Sequence, residues 1–151
     1  MTNRLIIPLL CAASVVAFAR GTTTHKSTLA ETPVRTHSKT ELSSKFSVNA
    51  GDVVEFNLAV RNNTTRMIEL RFPSGKTHEL VVQNASGKEV WRWSKSHMFT
   101  QAMQAKLVKS KDVAVFAETL DASNLHGHYT AIATLPSENH PIEERVEFDL
   151  K

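Results

Sequence analysis

The sequence predicts an all-β protein, an antiparallel β-sandwich of about eight strands. From residue 45 onward, apolar and polar residues alternate with a period of two in short runs. Turn-forming residues interrupt these runs about every ten residues, which is the spacing of sandwich strands. No stretch has the apolar periodicity of a long helix, which agrees with an all-β fold.

The N-terminal residues 1–19 have the pattern of a secretory signal peptide. Arg4 precedes an apolar stretch over residues 5–18, and Ala17 and Ala19 provide a small-x-small cleavage site. We expect cleavage after Ala19 and an exported protein in the periplasm, the cell envelope or the medium. The alternative is an uncleaved segment that anchors the chain in a membrane. The single cysteine, Cys11, lies in this stretch, so the mature domain is predicted to be free of disulfides.

Residues 20–44 are rich in serine, threonine and lysine and contain few apolar side chains. Such a segment cannot bury enough surface to offset its chain entropy. We therefore predict a flexible tether over residues 20–44 and a folded domain over residues 45–151.

The first two predicted strands lie in residues 51–62 and 66–72. Val54, Phe56, Leu58 and Val60 share one face of the first, and the second repeats the alternation. Residues 62–65, Asn-Asn-Thr-Thr, have turn chemistry and predict a hairpin between the two strands.

The next predicted pair of strands, residues 76–83 and 90–93, is joined by Ser86 and Gly87, which favour a tight hairpin turn. Alternation places Trp91 and Trp93 on one face of the second strand. Exposed and coplanar, they would form a carbohydrate-binding platform. The large area that two indole rings bury in a small domain favours the interpretation that they belong to the core.

Residues 96–103 lose the alternation and predict a loop, and further strands are expected at 105–109, 112–119, 128–135 and 142–150. Gly127 and Tyr129 enter one of these strands as Gly-x-Tyr-x-small. This pattern is typical of a tyrosine corner, with Ala131 where antibody domains carry a cysteine. The alternative is an ordinary core tyrosine.

The sequence contains no motif of a common catalytic centre: no nucleophile elbow, no phosphate-binding glycine loop and no zinc-protease signature. We predict a non-enzyme with no catalytic residue, no cofactor and no metal. His126 and His128 could share one strand face as metal ligands do, but solvated loop histidines are the commoner case. The net charge is +3 without a basic run, which argues against nucleic-acid binding.

An ordered set of features resembles the BsuPI family, the bacterial intracellular proteinase inhibitors. These features are F-x-S-G at residues 72–75, G-x-x-V-W-x-W-S at residues 87–94 and G-x-Y at residues 127–129. The likeness covers residues 48–135, with Trp91, Trp93, Gly127 and Tyr129 as its structural signature. It implies a compact, disulfide-free, Ig-like β-sandwich that inhibits subtilisin-type serine proteinases, and the family's own precedent is intracellular.

An inhibitor needs a rigid segment to present to the proteinase, and two loops are candidates. The leading one contains Arg71, Phe72, Pro73, Ser74 and Gly75, where Pro73 has a fixed φ. The second contains Ser94, Met98 and Phe99, with apolar side chains in an irregular stretch. The predicted partner is a protein, a subtilisin-like serine proteinase. The alternative function is a non-inhibitory, Ig-like protein-binding or adhesion module of the cell envelope.

Overall fold

The computed structural model describes residues 41–151. The predicted signal peptide, and the predicted tether up to residue 40, lie outside the described residues. The first strand begins at Leu42. Residues 42–44, predicted as the end of the tether, are therefore strand. Their serines mask an alternation in which Phe46 is buried and Leu42 and Val48 pack against the core.

The described chain contains nine strands and one short 3₁₀ turn, Trp93–Ser96, and all strand pairs are antiparallel. None of its helical segments could cross a membrane, since none combines the required length with apolar character. The strands are β1 Leu42–Asn49, β2 Val53–Asn62, β3 Ile68–Phe72, β4 Glu79–Asn84, β5 Glu89–Arg92, β6 Gln104–Val108, β7 Val113–Asp121, β8 Gly127–Leu135 and β9 Ile142–Leu150.

The strands form a three-stranded sheet, β1-β2-β7, a four-stranded sheet, β5-β4-β8-β9, and a two-stranded ladder, β3-β6. Ring contacts join the two larger sheets through their inner faces. Phe56 of β2 stacks on Trp91 of β5 at 5.6 Å and meets Phe148 of β9 edge-on at 6.3 Å between ring centroids. The predicted all-β, Ig-like sandwich is confirmed.

The inner face of β2 follows the predicted alternation. Val54, Phe56, Leu58 and Val60 are each at most 2% exposed, while the intervening side chains are more accessible. Removing this apolar surface from water contributes about 25 cal/mol per Å², which makes the shared face the main source of stability.

The expected hairpin between β2 and β3 is wrong. Strand β2 pairs with β1 and β7, whereas β3 pairs with β6. The fully buried Asn62 explains the crossover between sheets. Its Nδ2 donates to the carbonyl oxygens of Arg66, Val108 and Lys109 at 2.7–3.1 Å, and its Oδ1 accepts from the Thr64 backbone at 2.9 Å. A buried amide, and not a strand ladder, holds this connection.

The hairpin of β4 and β5 forms as predicted. Gly87 adopts φ +77°, a left-handed conformation that glycine accepts without strain. Asn84 Oδ1 accepts hydrogen bonds from the backbone N–H groups of Ser86 and Lys88 at 3.1 and 3.0 Å, which closes the turn.

Tyr129 makes the hydrogen bond of a tyrosine corner. Its Oη donates to the backbone carbonyl of His126, three residues upstream, at 3.0 Å. Ala131, two residues further along β8, is 1% exposed and packs in the core. The Gly-x-Tyr-x-small pattern is therefore the corner and not an ordinary core tyrosine.

Candidate functional site

The two predicted contact loops lie side by side. The backbone N–H of Gly75 donates to the carbonyl oxygen of Thr100 at 2.9 Å. Both loops leave the same end of the β3-β6 ladder, where Phe72 pairs with Gln104. We call residues 73–75 and 97–100 together the loop pair. The sequence presented the two segments as alternatives, and the fold makes them one surface.

Gly75 is required by this close approach. A Cβ at residue 75 would lie 2.8 Å from Thr100 Oγ1 and 3.2 Å from Thr100 N. Both separations are shorter than ordinary van der Waals contact. A side chain at this position would force the two halves of the loop pair apart.

The predicted contact residues differ widely in accessibility. Arg71, Pro73 and Met98 are exposed, and Ser74, Gly75, Ser94 and Phe99 are half-buried. Phe72 is 0% exposed. The prediction that Phe72 contacts a partner is therefore wrong, because strand alternation directs its ring into the core on the same face as Leu70.

Both backbone polar groups of Arg71 already have hydrogen-bond partners within the chain. Its N–H donates to Asn139 Oδ1 at 3.0 Å, and its carbonyl oxygen accepts from Glu138 N at 2.9 Å. The segment that precedes β9 thus covers this edge of β3. A partner strand therefore cannot pair with β3 at Arg71. In the first predicted segment, a partner can reach the exposed side chain of Arg71 and residues 73–75 beyond the strand.

Trp93 forms the floor of the second loop. Its buried ring lies 4.5 Å from the His97 ring and 5.3 Å from the Phe99 ring, measured between centroids. The carbonyl oxygen of Trp93 also lies 2.9 Å from His97 Nδ1. The residues on both sides of Met98 are therefore held on one indole, whereas Met98 itself is 100% exposed.

A buried carboxylate joins the bases of the two loops. Glu79 Oε2 accepts from Ser94 Oγ at 2.6 Å and from Lys76 Nζ at 3.2 Å, and Arg92 Nη1 lies 3.4 Å away. Burial raises the pKa of Glu79, but the hydrogen bonds from Ser94 and Lys76 outweigh it, and the net pKa is lowered. In a strand, Glu79 points to the face opposite the neighbouring apolar Leu80, so the sequence contains no sign of this role.

Beside this carboxylate, Glu89 pairs with two cations at the start of the 3₁₀ turn. Its Oε2 lies 2.6 Å from Arg92 Nη2, and its Oε1 lies 2.8 Å from Lys95 Nζ. Hydrogen bonds from Arg92 and then from Lys95 lower the pKa of Glu89 to about 2. The pairs orient Lys95 away from the loop pair towards β5.

His78 lies under Trp93, with the two rings stacked at 4.1 Å between centroids. Its Nε2 lies 3.0 Å from Glu118 Oε1. Burial lowers the pKa of His78 below 6.5, and this outweighs the opposite effects of the Glu118 and Glu79 carboxylates. The unfolded chain therefore takes up this proton at a higher pH than the folded chain does. The neutral ring's contribution to stability is present above pH 6.5 and is lost as the pH falls through the lowered pKa.

The tryptophans do not form a carbohydrate platform. Trp93 is 8% exposed, and Trp91 is half-buried and stacked on Phe56. Coplanar rings facing solvent would be needed to bind a sugar. The interpretation of both rings as core residues is therefore the one that the packing supports.

The histidine pair after β7 has separate partners. His128 Nδ1 lies 3.0 Å from Asp149 Oδ1, whereas His126 Nδ1 approaches the carbonyl oxygen of Lys151. Within residues 41–151, no group of three or more histidine, cysteine, aspartate or glutamate side chains is arranged to hold a metal ion.

Comparison with protein families gives one match over most of the described chain. A family model described as BsuPI, intracellular proteinase inhibitor, matches residues 40–140. Comparison with curated protein sequences gives no match.

Solved structures that resemble the chain do so weakly. The C-terminal domain of wzt aligns at 10% identity and a TM-score of 0.46, over 74% of each chain. A β-glucosidase from Erythrobacter marinus aligns at 15% identity and 0.33, and β-glucosidase 3B from Thermotoga neapolitana at 12% and 0.37. In both cases 72% of this chain matches only 16% of the enzyme. Likeness at this level says nothing about activity.

Proposed function

Since this chain belongs to the BsuPI family of intracellular proteinase inhibitors, we propose that it binds and inhibits a serine proteinase of the subtilisin type. The partner is a protein, and the activity is binding, so no residue of the chain has a catalytic role. The family match is the observation that supports inhibition, and the loop pair is the surface through which we propose that the chain binds the proteinase.

The loop pair contacts the proteinase through Pro73, Ser74, Gly75 and Met98. Three separate features support this surface. The two segments share a backbone hydrogen bond, their bases meet at the Glu79 carboxylate, and the second segment packs on Trp93. A loop that is ordered before binding loses less conformational entropy in the complex, which strengthens binding.

The same restraints explain why the loop inhibits instead of being degraded. A proteinase must distort a peptide and let the two new ends separate in order to release products. Here the residues that flank Met98 are held by the Trp93 ring, and Thr100 is held by Gly75. The bound loop therefore stays in place and blocks the cleft.

The chain acts outside the cytoplasm, in contrast to the intracellular description of its family. The support is the signal-like pattern of residues 1–19, with its apolar segment and its alanines at 17 and 19. N-terminal sequencing of the protein recovered from a bacterial periplasm or medium tests this. We expect Arg20 as the first residue, and a cytoplasmic protein with an intact N-terminus would contradict export.

Inhibition is tested by titrating subtilisin with the purified protein and measuring the hydrolysis of a chromogenic peptide. We expect a saturable loss of activity with one inhibitor bound per proteinase. Chymotrypsin and trypsin, assayed in parallel, report the preference of the binding pocket. If no serine proteinase is inhibited, the proposal is refuted and the non-inhibitory protein-binding module becomes the better description.

A further inference from the structure

We propose that Met98 is the primary specificity residue of the inhibitor, the side chain that enters the main substrate pocket of the proteinase. This inference rests on the proposed inhibitory function and names the residue that determines its selectivity. The target is then a proteinase with a large apolar pocket.

Exposure singles out Met98. Its side chain is 100% exposed, whereas the other large apolar side chains on the surface of residues 41–151 reach at most 65%. An apolar side chain that makes no contact within its own fold contributes nothing to folding. Methionine is also unbranched and polarisable, so it adapts to the shape of an apolar pocket.

The residue before Met98 has the extended backbone conformation of a peptide bound in a proteinase cleft. His97, the preceding residue, is extended, with φ −126° and ψ 148°. The rings of His97 and Phe99 both lie on Trp93, so the chain is held on each side of a side chain that is itself free. An extended and restrained segment of this kind binds in the cleft as a substrate does. The side chain that enters the main pocket of the proteinase then sets the specificity of the inhibitor.

Lys95 is the competing candidate, since a lysine would select a proteinase with an acidic pocket. It lies within the 3₁₀ turn Trp93–Ser96 and not in extended chain. Its Nζ is paired with Glu89 Oε1 at 2.8 Å. Geometry and charge pairing therefore both favour Met98.

The test is Met98→Lys, assayed by inhibition constants against subtilisin, which has an apolar pocket, and trypsin, which has an acidic one. We expect binding to subtilisin to weaken by about 10- to 100-fold and binding to trypsin to strengthen by a similar factor. Met98 has no contacts to lose, so the thermal midpoint should stay at the wild-type value. Met67→Lys is the matched control. Met67 is 56% exposed and precedes β3, at the end of that strand opposite the loop pair, so neither constant should change.

The possible failures are distinguishable. If the wild-type protein inhibits subtilisin and Met98→Lys leaves both constants unchanged, the inference is overturned and the inhibitory function stands. An equal change towards both proteinases would place Met98 in the interface but outside the pocket, which also overturns it. A wild-type protein that inhibits neither proteinase refutes the proposed function itself, and the inference with it.

Discussion

Replacing Gly75 by alanine tests whether the two loops act as one surface. The added Cβ would lie 2.8 Å from Thr100 Oγ1 and 3.2 Å from Thr100 N, so the Thr100 hydroxyl must retreat by about 0.6 Å to reach ordinary contact. The backbone hydrogen bond between the same residues resists this movement. Overpacking of this kind costs about 1–3 kcal/mol. Because the displaced atoms belong to the proposed contact surface, we expect the inhibition constant for subtilisin to rise about tenfold, equivalent to about 1.4 kcal/mol.

The assay combines urea denaturation, which gives the free energy of unfolding, with inhibition of subtilisin. Gly51→Ala is the matched control, because a Cβ there would meet its nearest atom, the Val53 carbonyl oxygen, at an ordinary 3.5 Å. The double variant Gly75→Ala, Thr100→Ala removes the 2.8 Å contact and should recover part of both losses. If Gly75→Ala behaves like Gly51→Ala in both measurements, the close approach of the two loops has no energetic consequence and the reasoning is refuted.

Three further predictions concern the framework. His78→Phe should keep a ring stacked on Trp93 but reduce the loss of stability as the pH falls below 6.5, because only the wild type carries a buried histidine whose pKa is lowered by burial. Denaturation curves above and below pH 6.5 check this, and a pH profile identical to that of the wild type would contradict it. Tyr129→Phe should lower the free energy of unfolding by about 1 kcal/mol in urea denaturation, since it removes the hydrogen bond to the His126 carbonyl but keeps the ring. An unchanged free energy of unfolding would argue against the tyrosine corner. Asn62→Ala should lower the free energy of unfolding by about 3 kcal/mol, because buried carbonyl oxygens lose their donor. A loss below about 1 kcal/mol in urea denaturation would show that this amide does not hold the connection between β2 and β3.

Local patterns predicted most strands. In β2 the alternation of four apolar residues gave the buried face, and Gly87 marked the turn before β5. Strand β1 was not among the predicted strands, because Ser43, Ser44 and Lys45 look like the polar segment before them. The polar run is a strand because its backbone pairs with β2, which does not depend on side-chain polarity, and because this pairing places Phe46 in the core.

Part of the candidate site could also be found from the sequence. Proline and glycine marked residues 73–75, and the loss of alternation marked residues 96–103. That these segments touch was not predictable, because Gly75 and Thr100 are remote in sequence and meet through the pairing of β3 with β6. The burial of Glu79 was equally hidden, since its partners come from a loop, β5 and the 3₁₀ turn.

The sequence by itself determined the class of the fold, the positions of most strands and the family signature, and it offered the tyrosine corner as one of two alternatives. Each of these depends on residues a few positions apart, where side-chain direction and turn conformation are set locally. Tertiary structure alone decided that β3 pairs with β6 and not with β2, and that Met98 is exposed on a segment held at both sides. The reason is that burial is a property of what packs against a residue, and those neighbours come from distant parts of the chain.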